Sequence, residues 1–402
     1  MNVRRITRRA FLRAAGGVAL FSIVPARVVA GLKRGRRPPS ETVTRGVIGT
    51  GGMGMSHVTE HKAGETPETL AVCDVDRDHL ASGLKKAGPA CTGYSDFRRV
   101  LERKDLDVIH VATPPHWHAL ISIAAMQAGK DVFCEKPMTR FHREGLAVIA
   151  AAKRYGRMFQ LNSYGRGDFV RLRRLVASGL LGSPLTARVS PRFGCNWKLK
   201  QWSGRTDLVP KPVPDSLDYD FWLGPAPFKP YHPHRVHQSF RGYWDYDGGG
   251  LGDMGMHWLD PVQYVLGKDG TGPVTIEAQA PWPAHPDAAG LWGRVTLTYA
   301  DGTRIILESE EWGPKDPDAA RRAFIEGPGG RVLGREGTET DPPGLFARSA
   351  AFPVPPRDRS FEDAVRSRDG SRSVKPNAEE GHRTVSLIHL ANIAIRTGRT
   401  LR

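Results

Sequence analysis

The sequence predicts an α/β protein whose first domain is a doubly wound parallel sheet and whose second domain is α+β, with an open-faced, mostly antiparallel sheet. Between residues 42 and 162, short apolar runs alternate with helical patterns, which is typical of parallel βαβ units. Beyond residue 163, longer runs of alternating apolar and polar residues are joined by short turns, which is typical of antiparallel strands. A chain of 402 residues with 40% hydrophobic content is long enough for two such domains.

The elements of the first domain follow one another in a regular order. A strand over 42–48 ends at a group of glycines, and an amphipathic helix follows from about Met53. The other predicted strands cover 70–73, 108–112, 131–134 and 158–161, and the other predicted helices cover 77–87, 118–128 and 144–155.

The composition changes after residue 162. The segment 195–257 is rich in Pro, Gly and aromatic residues, and five of the nine tryptophans lie between Trp197 and Trp258. Strands are then predicted over 274–280, 293–299, 303–308 and 323–326, and a last helix over 377–396 is expected to pack back on the first domain. The chain therefore divides into a first domain at 42–162, a second at 163–376 and a C-terminal helical segment at 377–402.

The first 41 residues have the pattern of an export leader. The run Thr7-Arg8-Arg9-Ala10-Phe11-Leu12-Arg13 precedes an uncharged apolar stretch at 14–24, and small residues before Gly31 suit a signal-peptidase cut. The apolar stretch is shorter than the ~20 residues that span a bilayer. We therefore expect a twin-arginine signal peptide at 1–30, a basic linker at 31–41 and a periplasmic mature protein. Its expected partner is the twin-arginine export machinery, with no membrane anchor after cleavage.

Charge and cysteine content argue against two classes of function. Residues 1–40 supply +10 of the net charge of +16, and the remaining +6 is scattered, so no nucleic-acid partner is expected. The four cysteines, Cys73, Cys91, Cys134 and Cys195, have no C-x-x-C spacing, so no metal site is expected. In an oxidising compartment, Cys73 and Cys91 are candidates for a disulfide. The favoured alternative is that the cysteines are buried free thiols.

The block Gly49-Thr50-Gly51-Gly52-Met53-Gly54 lies between the first strand and the first helix. In a dinucleotide-binding fingerprint, the first glycine permits the tight turn, the second the approach of backbone amides to the pyrophosphate, and the third the packing of helix on strand. Gly49, Gly51 and Gly54 have these positions. The whole block, with Gly52 and Met53, is therefore predicted to bind a dinucleotide.

Asp74 lies twenty residues beyond Gly54, at the end of the second strand. A carboxylate at this position is expected to bond the ribose hydroxyls and to repel a 2′-phosphate, which favours NAD over NADP. Arg77 lies close by in the sequence, so NADP stays an alternative cofactor.

Several motifs together resemble the glucose-fructose oxidoreductase and inositol dehydrogenase family, Gfo/Idh/MocA. They comprise Gly-Val-Ile-Gly-Thr-Gly-Gly-Met-Gly at 46–54, Cys-Asp-Val-Asp at 73–76, Thr-Pro-Pro-His at 113–116, Cys-Glu-Lys-Pro-Met at 134–138 and Gly-Gly-Gly-Leu-Gly-Asp-Met-Gly-Met-His-Trp-Leu-Asp at 248–260. The resemblance implies a Rossmann domain that binds NAD, a second domain for substrate and oligomerisation, and a sugar or polyol bound between them. It also implies a homodimer or homotetramer formed through the open sheet.

The resemblance also implies the site residues. Family members use the lysine of the Glu-Lys-Pro motif at the hydride-transfer site, which here is Lys136, and a lysine there can stabilise developing alkoxide charge. The residues implied to line the cofactor pocket are Thr113, Pro114, His118, Glu135 and Lys136.

The family's aspartate and histidine, four residues apart, match Asp253 and His257. If the segment is helical, both lie on one face. His257 is then expected to take the hydroxyl proton, and Asp253 to orient the substrate or the imidazole. Pro261 has no backbone N–H group to donate to the carbonyl group of His257. The sequence therefore leaves two questions undecided: whether the helix kinks beyond the site, and where His257 lies.

Nicotinamide nucleotides are a cytoplasmic pool, so an exported enzyme cannot exchange its cofactor with that pool. We therefore expect a tightly bound cofactor. The first hypothesis is an oxidoreductase in which retained NAD is reduced by one sugar and reoxidised by a second carbonyl substrate. The second is a glycoside hydrolase that oxidises a sugar transiently, eliminates the leaving group and reduces the ring again. Its further acid or base has four candidates, His234, His237, Tyr243 and Tyr246. The third is a non-catalytic carbohydrate-binding protein, against which Lys136, Asp253 and His257 argue.

Five aromatic residues are candidates for stacking on a sugar ring: Trp197, Trp202, Tyr243, Trp244 and Tyr246. Taken singly, each is better explained as packing, because large aromatic side chains usually fill cores and interfaces.

Overall fold

The computed structural model describes residues 42–60, 68–280, 285–310, 323–335 and 339–402. The predicted signal peptide and linker lie outside the described residues. Among the residues described, no helix combines the length and the apolar character needed to cross a membrane.

The first sheet contains six strands in the order β3-β2-β1-β4-β5-β6, and every neighbouring pair is parallel. The strands are β1 (Thr44–Ile48), β2 (Glu68–Cys73), β3 (Thr92–Tyr94), β4 (Val108–Val111), β5 (Asp131–Glu135) and β6 (Phe159–Asn162). β4 and β5 are buried along their whole length, which explains why their apolar runs do not alternate. The strand order reverses between β1 and β4, and parallel sheets bind ligands at the carboxyl ends of strands at such a point.

Helices connect these strands at Gly52–His57, Arg77–Ala87, Phe97–Leu101, Pro115–Gln127 and His142–Tyr155. The helix predicted from residue 118 begins three residues earlier, because a proline fits the first turn of a helix. β3 and the helix Phe97–Leu101 were not predicted, because three and five residues are too few to show a periodic pattern.

The second sheet contains seven strands in the order β13-β12-β11-β7-β10-β9-β8. They are β7 (Thr186–Val189), β8 (Thr275–Gln279), β9 (Arg294–Thr298), β10 (Arg304–Glu308), β11 (Ile325–Gly327), β12 (Gly330–Val332) and β13 (Thr340–Asp341). β7 and β10 pair in parallel, and the other neighbours are antiparallel. Val295 and Leu297 of β9 are buried, whereas the alternate residues are half-buried, so the sheet has one core face and one open face.

The other helices are Val170–Ala177, Tyr219–Leu223, Gly249–Leu266, Leu345–Arg348, Phe361–Ser367 and Ala378–Thr397. We call Gly249–Leu266 the site helix and Ala378–Thr397 the C-terminal helix. The two pack against each other, and the C-terminal helix also packs against His142–Tyr155 and β8. The side chain of Asn377 caps the C-terminal helix by accepting hydrogen bonds from the backbone amides of Glu379 and Glu380.

The site helix runs through Pro261 to Leu266 without a break in its helical assignment, and every one of its residues except His257 is buried. Such a helix belongs to the core between the two sheets rather than to the surface. The predicted fold class, a doubly wound domain followed by an open-faced, mostly antiparallel sheet, is confirmed. All four cysteines are free thiols, and three of them are buried.

Candidate functional site

The glycine block forms a tight loop between β1 and the helix Gly52–His57. Gly49 has a φ of +88°, and a Cβ atom there would lie 2.7 Å from the backbone carbonyl of Ala112. A Cβ atom on Gly54 would lie only 1.7 Å from the carbonyl oxygen of Gly49. A side chain at either position is therefore excluded by backbone atoms, and these two glycines let strand, loop and helix approach closely.

Asp74 lies beside this loop, at the carboxyl end of β2. Its Oδ2 accepts a hydrogen bond from the backbone amide of Thr50 at 2.7 Å, and its Oδ1 accepts one from the amide of Asp76 at 3.0 Å. The carboxylate therefore ties the end of β2 to the glycine loop, at the place that the sequence predicts.

A cavity of about 750 Å³ opens next to the loop. Its wall is built from the glycine loop, the ends of β2, β4 and β5, the segment 198–202, the segment 233–241 and the start of the site helix. The predicted cofactor residues that line it are Gly49, Gly51, Gly52, Met53, Asp74, Thr113, Pro114, Glu135 and Lys136. Residues of both parts of the chain therefore meet around one space.

The residues at the loop end of this cavity fit a dinucleotide. A Cβ atom on Gly52 would meet no atom within 4 Å, so the backbone there faces open space. The hydroxyl group of Thr113 is buried and has no hydrogen-bond partner within the described protein, although buried polar groups are nearly always paired. A free hydroxyl group and an open backbone at the carboxyl ends of parallel strands give a bound nucleotide a hydrogen-bond partner and room to approach.

Gly54 and His118 lie behind the cavity wall rather than in it. The His118 ring is buried, with Nδ1 2.7 Å from the carbonyl oxygen of Pro137 and Nε2 2.7 Å from that of Thr113. The predicted cofactor contact of His118 is therefore corrected: both ring nitrogens are engaged by backbone, and the ring joins the turn after β4 to the loop after β5.

Lys136 follows β5 directly, and its Nζ lies 2.5 Å from Oδ1 of Asp253 on the site helix. The two residues are 117 positions apart in the chain, and both line the cavity. The same Oδ1 atom accepts a second hydrogen bond from Nε of Arg241 at 2.6 Å. Burial alone would raise the pKa of Asp253, but these two cations hold it well below its usual range. Asp253 is therefore a charged carboxylate, and it fixes the Lys136 ammonium in the cavity wall.

Arg241 is a site residue that the sequence motifs do not reveal. It lies in the 3-10 helix His237–Gly242, with its guanidinium group 4.8 Å from the ring centre of Trp202 and 4.7 Å from that of Phe240. These contacts hold the group over the cavity. Its only sequence signal is a position in the aromatic-rich segment, twelve residues before Asp253.

Glu135 is held by two further residues that the motifs do not reveal. Its Oε1 lies 2.6 Å from Nε2 of His57 and accepts a hydrogen bond from Nδ2 of Asn162 at 2.6 Å. Burial would raise the pKa of Glu135, but the bond to His57 and the bond to Asn162 lower it to about 2. A charged carboxylate therefore lies at the end of β5, between the helix Gly52–His57 and β6.

His257 lies one helical turn beyond Asp253, as the spacing predicts, but it is not among the residues that line the cavity. Its ring stacks on Tyr164, with the ring centres 3.9 Å apart and an interplanar angle of 11°. Burial, together with the charge of Lys136, lowers the pKa of His257 to about 3, so the imidazole is neutral at pH 7. Its Nδ1 is buried and has no hydrogen-bond partner within the described protein. The structure thus brings Lys136 and Asp253 together in the cavity, and places His257 beside it.

The aromatic candidates separate into one cavity residue and four packing residues. Trp202 lines the cavity, whereas Trp197, Tyr243, Trp244 and Tyr246 are buried outside its wall. Among the acid or base candidates, His237 lines the cavity, but Nδ1 of His234 lies 2.7 Å from the hydroxyl of Tyr243, away from it. Position in the aromatic-rich segment alone does not distinguish the two groups.

A cluster of potential metal donors lies near Asp74. Donor atoms of Asp76, His79 and His237 lie within 4.8 Å of one another, and Oδ2 of Asp76 is 3.4 Å from Nε2 of His237. The other oxygen, Oδ1 of Asp76, caps the helix Arg77–Ala87. Spacing along the chain does not indicate this cluster, because His237 is remote in sequence from the other two. In the structure these side chains form the cavity wall beside Asp74.

A glycine loop over a parallel sheet, with a buried lysine–aspartate pair on the same cavity, is the arrangement of a two-domain dinucleotide-binding protein. Residues 43–163 match the family model described as "Oxidoreductase family, NAD-binding Rossmann fold". Residues 167–402 match the one described as "Oxidoreductase family, C-terminal alpha/beta domain". The chain belongs to the Gfo/Idh/MocA oxidoreductase family, as the motifs predict.

One curated relative matches about half of the chain. The chain is 30% identical over 232 residues to a Shewanella oneidensis protein named "Alpha-N-acetylgalactosaminidase", a match that covers 51% of this chain and 50% of that protein. The chain therefore spans about half the length of the curated relatives it matches.

Two solved structures share the fold. The WlbA dehydrogenase of Bordetella pertussis, in complex with NADH and UDP-GlcNAcA, has a TM-score of 0.59 at 16% identity, and the match covers 90% of this chain and 97% of that one. The aldose-aldose oxidoreductase of Caulobacter crescentus, complexed with glycerol, has a TM-score of 0.55 at 18% identity and covers 90% and 99%.

Proposed function

We propose that the protein transfers hydride between a hydroxyl-bearing carbon of a sugar or polyol and an NAD that it holds tightly in this cavity. The observation that carries the proposal is the Lys136–Asp253 pair, with Arg241, in the wall of the cavity that the glycine loop also lines. A substrate in this cavity would share one wall with the Lys136 ammonium group and with the predicted nucleotide residues.

The part of each side chain follows from its position. Lys136 donates a hydrogen bond to the substrate oxygen and stabilises the negative charge that develops on it, because the ammonium group is desolvated and held by Asp253. When bound, NAD would supply the hydride acceptor of this reaction, and the glycine loop, Asp74 and Thr113 would hold it. Asp74 favours NAD over NADP because its carboxylate lies beside the loop.

The proposed proton acceptor is His257. Its imidazole is neutral, as a base requires, and Nδ1 has no hydrogen-bond partner within the described protein. Because the ring stacks on Tyr164 outside the cavity lining, this role requires the His257 side chain to turn toward the cavity when substrate binds.

We further propose export by the twin-arginine route, which the leader at 1–30 supports, and retention of the cofactor through the whole cycle. A periplasmic enzyme that released reduced cofactor would have no pool to replace it. Oxidation of one sugar coupled to reduction of a second carbonyl compound closes the cycle, and one structural neighbour is named an aldose-aldose oxidoreductase.

A second candidate function is NAD-dependent glycoside hydrolysis, in which hydride leaves and returns within one turnover. The relative named an alpha-N-acetylgalactosaminidase, 30% identical over 232 residues, favours it. The same Lys136–Asp253 pair serves this reaction, since its first step is also oxidation of a sugar hydroxyl.

We also propose a homodimer or homotetramer formed through the open face of the second sheet. That face carries the ion pairs Arg294–Glu308 and Arg188–Glu326, each at 2.7 Å, so it offers charged groups to a second copy. Sedimentation velocity of the purified protein measures the assembly state, and a monomer at micromolar concentration would contradict the proposal.

The cofactor experiment comes first. The purified mature protein is denatured, and the supernatant is analysed for nicotinamide nucleotide by absorbance and mass. We expect about one NAD(H) per chain. A protein that releases none and also fails to bind added NAD would contradict both enzyme functions and leave carbohydrate binding alone.

A substrate panel then separates the two reactions. Free sugars in pairs test coupled oxidation and reduction, and 4-nitrophenyl N-acetyl-α-D-galactosaminide tests hydrolysis, both without added NAD. Turnover of sugar pairs alone supports the oxidoreductase, whereas release of nitrophenol supports the hydrolase.

A further inference from the structure

Asp247 is a buried carboxyl group of the cavity wall that the proposed reaction has not used. It lies between the 3-10 helix His237–Gly242 and the site helix, its residue is 2% exposed, and it lines the cavity. Neither of its carboxyl oxygens has a hydrogen-bond partner within the described protein. Since buried polar groups are nearly always paired, two unpaired oxygens on the wall of a cavity indicate that a ligand supplies the partner.

The carboxyl group of Asp247 lies close against the backbone at the start of the site helix. A Cβ atom on Gly252, one residue before Asp253, would lie 2.3 Å from Oδ1 of Asp247. Glycine at position 252 therefore leaves the space that the carboxyl group occupies. Asp247 and Asp253 both line the cavity.

The two carboxyl groups differ in charge. Burial, together with the charge of Asp253, raises the pKa of Asp247 to about 8, while Arg241, Lys136 and Arg140 act in the opposite direction. Asp253 keeps its charge because Lys136 and Arg241 are hydrogen-bonded to it directly. The raised pKa favours the neutral acid form of Asp247, which has one O–H donor and one carbonyl acceptor.

We propose that Asp247 contacts the substrate, and that its two unpaired carboxyl oxygens donate one hydrogen bond to a sugar hydroxyl group and accept another. This inference rests on the proposed function and adds a specificity residue to it. A donor and an acceptor on one carbon match a hydroxyl group, which is itself both donor and acceptor, whereas an apolar substituent there would leave both oxygens unpaired.

The test uses two substitutions at this position and one matched control. Asp247→Asn keeps a donor and an acceptor of the same size, and Asp247→Ala removes both. The control is Asp245→Ala, two residues earlier, where the carboxylate lies 3.7 Å from Nζ of Lys229 and outside the cavity. Kinetics are measured on the substrate that the panel identifies, between pH 6 and pH 9, and NAD content is measured for each protein.

We expect Asp247→Ala to lose about tenfold or more in kcat/KM with NAD content unchanged, whereas Asp247→Asn and Asp245→Ala stay within about threefold at pH 7. Between pH 7.5 and pH 9 the unmodified protein loses activity as Asp247 ionises, and Asp247→Asn does not. If Asn is as damaging as Ala, the group acts as a charged base and the inference is overturned. If Ala behaves as the control does, Asp247 has no contact with substrate.

Failure of the proposed function gives a different result. In that case the unmodified protein lacks NAD and turns over no member of the panel, and calorimetric binding of N-acetyl-D-galactosamine decides on Asp247. Binding that weakens in Asp247→Ala but not in Asp247→Asn supports the inference, and absence of sugar binding to the unmodified protein overturns it. Should Asp247→Ala not fold, the pH profile of Asp247→Asn decides in its place.

Discussion

Two buried charge clusters lie on the two halves of the site helix, and they differ in how completely they are paired. Near its start, Asp253 binds Lys136 and Arg241 at the cavity, with Asp247 unpaired beside it. Near its end, Arg166 is fully buried and bonds Asp260, Asp269 and Glu380.

The second cluster leaves little unpaired. Nε and Nη2 of Arg166 donate to Oδ1 of Asp260 at 3.1 and 2.7 Å, and Oδ2 of Asp260 accepts a bond from the Ser163 hydroxyl at 3.0 Å. Burial would lower the pKa of Arg166, but Asp260, Glu380 and Asp269 together raise it above its usual value. The fully paired charged groups, away from the cavity, join elements of the fold. The incompletely paired groups at the cavity leave hydrogen-bonding atoms that a ligand can use.

The largest effect is expected from Arg166→Met, which breaks the paired cluster. It leaves Asp260 buried with its main counter-charge removed, so the apparent free energy of unfolding should fall by about 3–5 kcal/mol. Urea unfolding followed by tryptophan fluorescence measures this. The control Arg205→Met, at the exposed pair with Asp207, should leave the unfolding midpoint unchanged. Equal midpoints for the two variants would show that the buried cluster has no structural role.

Lys136→Met tests the cavity cluster. It removes the ammonium group but leaves Asp253 bound to Arg241, so the protein should fold and keep its NAD, while kcat/KM falls by about 100- to 1000-fold. The control Lys198→Met removes another positive charge from the same cavity wall and should cost less than about tenfold. If Lys136→Met does not fold, the cavity cluster has a structural role, as the Arg166 cluster does.

His257→Phe keeps a ring to stack on Tyr164 and removes both nitrogens. If His257 takes the substrate proton, kcat should fall by about 100-fold, with NAD content and the thermal midpoint nearly unchanged. A variant with normal kcat would mean that the stacked ring is only a packing element, and the proton acceptor would have to be sought among the cavity residues.

The last prediction concerns the dependence of stability on pH. Because the pKa of Asp247 is raised in the folded protein, its contribution to stability is lost as the pH rises from about 4, where the unfolded chain loses this proton, to about 8. The thermal midpoint of Asp247→Asn relative to the unmodified protein should therefore rise across this window, by roughly 3 °C or more, and level off above pH 8. Asp245→Asn should lack this trend, because that residue faces Lys229. Parallel curves for Asp247→Asn and the unmodified protein would contradict the charge assigned to Asp247.

The parallel sheet could be predicted from the sequence because short, largely apolar segments alternate with helical patterns along this part of the chain. β7, β12 and β13 could not, since they have only two to four residues each, and β7 takes its place in the sheet by pairing with the distant strands β10 and β11. Lys136 and Asp253 could be named from their motifs. Arg241 and His57 could not, because nothing local marks them, and each meets its carboxylate partner only after folding, 12 and 78 positions away.

The C-terminal helix has a consequence for the order in which the molecule is built during synthesis. Nε2 of His389 lies 3.1 Å from the carbonyl oxygen of Thr139, and the amide of Leu161 donates to the carbonyl oxygen of Pro376 at 3.0 Å. Both acceptor and donor belong to the nucleotide half, whose strands leave the ribosome long before their partners do. A nascent chain can therefore form the parallel sheet early, but it can complete the loop after β5 and the edge at β6 only once the C-terminal helix has been translated.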